Sequence, residues 1–423
     1  MTTTLVQKDK KMLISRSRLK PGIVLLVAGL IILLLFGLNL KPAQHTTFVL
    51  TPLGDKNVIP IPNLVLPVQL SIYVLVLVIF FAAGWQLAKG VRSNALLVGL
   101  VAFCFVAAFL IWAAKDASMD LVGMLNTSLV RATPIALAAL CGVISERAAV
   151  VNIAIEGIML VSAMFSVMVA TISHSLWLGL LTGMVAGMLM AAIHAVLVIN
   201  FRVDQIISGV ALNILGTGAS SFISNRYMQT NIDQLNNSGV FPNISIPLLS
   251  KIPILGPVIF ENNIMVYIML FLVAALFVLL FYTPWGLRTR AVGEHPKAAD
   301  TLGINVYMTR YVDVILGGLI AGIGGAYFTI GSVGRFDQLM TAGKGFIGLA
   351  AMIFGNWNPI GALGSSLIFG FADSLQVKMQ ILRIPIPTEF LQMAPYLVTI
   401  IVLAGVVGRV HPPAADGSAY VKQ

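Results

Sequence analysis

The chain has 423 residues, of which 58% are hydrophobic and only 10% charged, and its formal net charge is +10. A soluble domain keeps about 25% of its residues charged to wet its surface, so this composition excludes a soluble globular protein. The basic excess lacks the aromatic–basic interleaving of a nucleic-acid-binding surface, which excludes that class of partner as well.

Lys8, Lys10, Lys11, Arg16, Arg18 and Lys20 precede the first apolar run, opposed only by Asp9. That run, 21–40, is too long for a signal-peptide core and no A-x-A-like site follows it, so it reads as a retained anchor. Apolar stretches near the spanning length of about 20 residues recur at 66–88, 95–114, 121–145, 148–171, 175–199, 205–224, 264–284, 311–331, 344–356, 359–376 and 390–408. They are too uniformly apolar for barrel strands, and lipid offers no partner to a bare peptide group. The expected fold class is therefore all-α: a polytopic transmembrane helical bundle of about 10–12 spans with broken or short helices.

With the basic N-terminus inside, Lys89, Arg92, Arg202, the 285–310 loop and Arg409 fall on the cytoplasmic side, as the positive-inside bias requires. The connections 41–65 and 225–263 fall outside. The expected organisation is a basic cytoplasmic N-terminus (1–20), a transmembrane extension of three helices (21–115), a core (116–410) and a cytoplasmic tail (411–423). Both termini are expected in the cytoplasm. Cys104 and Cys141 lie in apolar runs, so they read as packing residues and not as metal ligands or a disulfide.

Two places break the pattern. The run 344–356 is too short to cross the hydrocarbon. The stretch ERAAVVNIAIEG (146–157) puts Glu146, Arg147, Asn152 and Glu156 between or inside spans. Interrupted helices with polar groups at membrane depth are what transport pathways use. An internal echo links them: TPIALAALCGVISERAAVVNI and GFIGLAAMIFGNWNPIGAL both read as an apolar helix with paired alanines, then Gly and a polar turn. Gly179, Gly183 and Gly187, and Gly318 and Gly322, recur at helix-packing spacing.

Ionisable groups at membrane depth cost at least ~2.5–3.5 kcal/mol each unless paired or wet. Asn152, Asn213, Glu156 and Asp373 could offer hydrogen bonds to a polar solute; the plainer reading is a Glu156–Arg147 pair holding a broken helix. His194 reads as a satisfied packing residue. Phe328, Phe336 and Phe346 could stack on a base or sugar face, with packing as the default. Glu156, His194, Asp313 and Asp373 form no evident proton relay, which disfavours an ion-coupled carrier.

The loop WGLRTRAVGEHPKAADTLGINVYMTR (285–310) contains a short helix ended by Gly303. Its pattern E-x-x-x-A-A-x-x-x-G-I resembles the coupling loop of bacterial ABC importer permeases, with Gly293, Glu294, Ala298, Ala299, Gly303 and Ile304 at the ATPase-coupling positions. ERAAVVNIAIEG, FRVDQIISGVALN (201–213) and GKGFIGLAAMIFGNWNPIGALGSSLIFG (343–370) extend the likeness. Together they resemble the branched-chain amino-acid, ribose and nucleoside permease family, and most closely its nucleoside branch, which works with a basic-membrane-lipoprotein-type binding protein.

The resemblance implies a transport subunit, not an enzyme, of the bacterial plasma membrane. Its implied partners are an ABC ATPase, a second permease subunit, identical or homologous, and an extracytoplasmic solute-binding lipoprotein, within membrane lipid. The chain has no G-x-x-x-x-G-K-[ST] loop, so no cofactor is expected in it and ATP would be bound by the partner. Glu146, Arg147, Asn152, Glu156, Asn213, Phe346 and Asn356 are the expected pathway residues. Ribose-like sugars or branched-chain amino acids are the alternative solutes.

Overall fold

The computed structural model describes residues 18–38, 40–51, 59–91, 94–382, 387, 390, 393 and 410–422. The expected span at 390–408 lies almost wholly outside the described residues, as do Lys8, Lys10, Lys11 and Arg16. Among the described residues, ten helices are long and apolar enough to cross a membrane. The chain divides into two compact units, 1–123 with 377–391 and 124–376 with 392–423.

The first unit holds α1 (Arg18–Gly37), α2 (Val68–Ala88) and α3 (Asn94–Ala113). Glycines let α1 and α2 approach closely: a Cβ on Gly29 would meet the Phe80 ring at 2.6 Å. Phe36 of α1 packs edge-on against Phe105 and Phe109 of α3, with centroids 5.5 and 5.7 Å away. A three-stranded sheet joins the helix ends. Its central strand β1 (His45–Val49) pairs antiparallel with β2 (Leu64–Pro67) and parallel with β3 (Ser118–Asp120).

The second unit is built on α4 (Leu121–Arg147), α5 (Ile155–Ser173), α6 (Leu176–Asn200), α7 (Gln205–Met228), α8 (Ile264–Tyr282) and α11 (Val306–Val333). Two short helices, α9 (Pro284–Glu294) and α10 (Pro296–Thr301), lie between α8 and α11. The chain continues into the eleven-residue α12 (Lys344–Phe354) and then α13 (Pro359–Ile381). A two-stranded antiparallel ribbon, β4 (Asn243–Ser245) with β5 (Glu261–Asn263), precedes α8. The expected start of a span at 148 is corrected: α5 begins only at Ile155, because 148–154 is a non-helical break.

The core of this unit is a set of glycine-mediated helix crossings. Lipid gives helices no hydrophobic reason to associate, so close backbone packing must do it. A Cβ on Gly187 would lie 2.3 Å from the Gly318 carbonyl oxygen, and one on Gly322 2.5 Å from that of Gly183. The sequence spacing of these glycines is thus the seam of α6 against α11. Gly322→Leu is expected to destabilise the solubilised protein by at least ~1–3 kcal/mol, since the obstacle is backbone that cannot rotate away. Gly84→Ala, whose Cβ meets nothing within 4 Å, serves as the control. Equal thermal midpoints for the two variants would refute the seam.

Candidate functional site

The two interrupted regions end in the same way. At the end of α4, the Val150 N–H reaches the Ser145 carbonyl (3.1 Å); at the end of α12, the Trp357 N–H reaches that of Met352 (3.2 Å). These bonds close a helix through residues in the left-handed region, here Ala149 (φ 63°), Asn356 (φ 54°) and Trp357 (φ 51°). α12 runs parallel to the C-terminal half of α4. A Cβ on Gly348 would meet Ala138 at 2.4 Å, and one on Gly142 would meet the Met352 sulfur at 2.7 Å. The sequence echo is therefore a spatial one, with equivalent segments side by side.

The two breaks are bonded together. Arg147 Nε donates to the Trp357 carbonyl (2.9 Å) and Nη2 to that of Asn356 (3.4 Å). Trp357 Nε1 donates to Glu146 Oε2 at 2.6 Å, with Glu146 buried. The expected Glu156–Arg147 pair does not form, because each group has nearer partners. Glu156 accepts instead from Thr341 Oγ1 (2.6 Å), Gly343 N (2.8 Å) and Gly345 N (2.6 Å). Its carboxylate thus sits on the N-terminus of α12, where unpaired N–H groups and the helix dipole favour a negative charge. Left-handed Ala342 (φ 47°) and Gly343 (φ 78°) turn the backbone toward it. α12 spans about 16 Å, roughly half of the ~30 Å hydrocarbon, and Glu156 at its N-terminus is half-buried.

Non-helical backbone at that depth must find internal partners, and α6 and α7 supply them. Gln205 Oε1 accepts from Val151 N (2.6 Å), and Asn213 accepts from Gly157 N (2.7 Å) while donating to the Ile153 carbonyl (2.8 Å). Asn152 Oδ1 caps Ala154 N at 3.1 Å. His194 Nε2 lies 3.0 Å from the Val151 carbonyl and Nδ1 3.0 Å from Ser208 Oγ. A carbonyl only accepts, so Nε2 carries the proton and Nδ1 accepts from the Ser208 hydroxyl. His194 is the satisfied packing residue expected. Asp204 caps α7 through Ile206 N and Ile207 N. The polar residues of the 146–157 and 201–213 motifs are thus largely spent on holding one break.

Of the expected pathway residues, Glu146, Arg147, Asn152, Glu156, Asn213 and Asn356 gather around the breaks and hydrogen-bond there. Phe346 is open, at 47% exposure. Phe336 is fully buried in a cluster with Leu160 and Met228. One pairing was not read from the sequence: Lys344, in the first turn of α12, forms an ion pair with Asp373 of α13. Asp313 is buried beside Thr289. Among the described residues, no hydrogen bond links Glu156, His194, Asp313 and Asp373 into a relay.

The coupling-loop residues divide by face. Ala299 is buried, Ile304 half-buried, and Glu294, Ala298 and Gly303 exposed. His295 Nδ1 accepts from Ala298 N (3.2 Å) to start α10, and Gly303 (φ 82°) takes the left-handed turn that ends it. Gly293 points inward: a Cβ there would lie 2.2 Å from the Arg147 carbonyl oxygen. It is a contact between α9 and α4, not a surface residue. Leu302, at 83% exposure, is a large apolar side chain at the tip that the motif did not single out.

Residues 124–403 match the family described as branched-chain amino acid transport system / permease component. The chain belongs to this permease family. The match begins at the residue where the second compact unit begins. The permease is 43% identical over 320 residues to the guanosine ABC transporter permease protein NupQ of Bacillus subtilis (strain 168), covering 72% of this chain and 99% of that one. It is 43% identical over 305 residues to the nucleoside ABC transporter permease protein NupC of Lactococcus lactis subsp. cremoris (strain MG1363), covering 70% and 95%. No solved structure matches it. With its ten apolar helices, the permease is a multi-pass membrane protein.

Proposed function

We propose that this permease is the translocating subunit of an ATP-driven nucleoside importer. The observation that carries the reading is its 43% identity to a guanosine permease along 99% of that protein's length. ATP is bound and hydrolysed by a separate ATPase seated on α9 and α10, and this chain supplies no ATPase site. A second permease subunit completes the pathway, and an extracytoplasmic binding lipoprotein delivers the solute to the 225–263 connection. Both termini and α9–α10 face the cytoplasm, consistent with Arg147, Arg202, Arg288 and Arg290 at that end. The 21–115 extension precedes the family match, which begins at residue 124, and carries no transport role in this reading.

The solute path runs beside α12. Phe346 offers a π-face to a base, a contact worth ~1–3 kcal/mol, and the Lys344–Asp373 pair offers charge to a sugar hydroxyl. Uptake of labelled guanosine into cells with and without the chain tests the function, with vanadate and a protonophore in parallel. Chain-dependent uptake that resists the protonophore supports the reading. Uptake abolished chiefly by the protonophore would overturn the ATP-driven mechanism, and uptake of ribose or leucine alone would overturn the solute.

Leu302 is the anchor for the ATPase. Leu302→Asp is expected to weaken co-purification of the ATPase by about ten-fold or more, the value of one buried leucine side chain. Gly303→Pro, which denies the turn its left-handed φ, acts in the same direction. If both variants keep wild-type association and uptake, α10 is not the coupling helix.

A further inference from the structure

Residues 410–422 cross the end of the second unit where both helix breaks and the short helices α9 and α10 meet. The path is anchored at two buried side chains, Pro413 and Tyr420. His411 N donates to Asn356 Oδ1 (3.0 Å), in the break after α12. Ala414 N donates to Glu294 Oε2 (3.3 Å) and Ala415 N to the Gly293 carbonyl (2.9 Å), at the end of α9. Asp416 faces Glu146 of α4 and Arg310 of α11, and burial raises its carboxyl above the ordinary range. Gly417 (φ 72°) turns the segment, and Arg310 Nη1 holds the Ser418 carbonyl at 3.0 Å.

The far end completes the seat of α10. A six-residue helix cannot hold itself in water, and this one buries only Ala299 among its own residues. Tyr420 fills the seat, packing with Val292, Ala299 and Val306 and lying edge-on to Tyr307 at 5.3 Å. Lys422 reaches Asp300 at 3.9 Å. One segment therefore touches the underside of α10 at one end and both breaks at the other. An untethered tail would have no reason to satisfy its backbone on these elements in turn.

We propose that residues 410–422 form a coupling strap, a positioning element that carries displacement of α10 to the helix breaks beside the solute path. The inference rests on the reading of α9–α10 as the ATPase-facing surface. Thrust on α10 moves Tyr420, and the strap passes it to Asn356 through His411 and to α4 through Asp416 and Glu146. Without the strap, Ala299 still packs on Val292 and Val306, so α10 keeps part of its seat and Leu302 its exposure; ATPase docking survives while transmission is lost.

The test uses the full complex in proteoliposomes, with labelled guanosine as probe and guanosine imported per ATP hydrolysed as readout. Truncation after Arg409 is expected to keep the ATPase bound and turning over ATP. The transport ratio should fall about ten-fold, the shift that one buried aromatic anchor sets on a docked fraction. Tyr420→Ala, a milder change, is expected to lower the ratio in the same direction. Tyr420→Phe, which keeps the ring in its seat, should restore it to within about two-fold. An unchanged ratio on truncation would overturn the strap, as would a raised import rate, which would mark an autoinhibitory tail. Loss of ATPase binding on truncation would also overturn it, because the segment would then be docking surface. Gly303→Pro in the same preparation separates the two readings: if it leaves association and uptake intact, the underlying α10 assignment is what fails.

Discussion

Glu156→Ala is expected to remove most of the folded permease from the membrane fraction and to lower the thermal midpoint of what remains. The carboxylate satisfies three donors, Thr341 Oγ1, Gly343 N and Gly345 N, all within 2.8 Å. Glu156 is half-buried, and each donor that loses its acceptor inside the bundle costs about 1–3 kcal/mol. The expected loss is about 3–5 kcal/mol, at the far end of what single substitutions do. Glu156→Gln keeps one accepting oxygen and is expected to cost about 1–3 kcal/mol. Thermal melts of solubilised protein, with guanosine uptake normalised to folded protein, check both. If Glu156→Ala keeps the wild-type midpoint but abolishes normalised uptake, the residue is a solute contact and not the cap of α12.

Trp357→Ala is expected to cost about 3–5 kcal/mol, the usual range for deleting a buried aromatic side chain. It also deprives buried Glu146 of its 2.6 Å donor. Because Trp357 and Glu146 tie one break to the other, guanosine uptake should fall further than the loss of folded protein explains. Trp357→Phe keeps most of the volume and isolates the hydrogen bond, at about 1–3 kcal/mol. A double-mutant cycle completes the argument. Combined with Glu146→Leu, Trp357→Phe should cost less than the sum of the single changes, since the buried carboxyl that lacked a donor is gone. Strict additivity would show that the two side chains are not coupled.

The helical class, the position of most spans and the family were legible in order along the chain. Their signals are local: apolar run length, basic flanks and the arrangement of ERAAVVNIAIEG, FRVDQIISGVALN and GKGFIGLAAMIFGNWNPIGALG. The glycine seam was legible for the same reason, because four-residue spacing puts Gly183 and Gly187 on one helix face. The break at 148–154 was not placed correctly. Val150, Val151 and Ile153 are apolar and extend the hydrophobic run, and nothing local shows that the backbone of Val151 and Ile153 is bonded by Gln205, His194 and Asn213 instead of by a helix.

Partnership is what one sequence conceals. Glu156 and Arg147, nine positions apart, looked like a natural pair, yet their partners stand 185 and more positions away. Lys344 was passed over as part of a glycine motif, although it pairs with Asp373. The sequence marks 411–423 only as a cytoplasmic tail, and packing alone shows Tyr420 in the seat of α10. The sequence by itself determined that the chain must bury its backbone in helices, and which family's motifs it carries. Both follow from residue types and spacing. The tertiary structure alone decided which polar groups near the breaks are bonded across them and which side chains, such as Phe346, stay exposed. In lipid a buried donor or acceptor takes whatever internal partner the packing brings within 3 Å, and that packing is set by contacts between residues far apart in the chain.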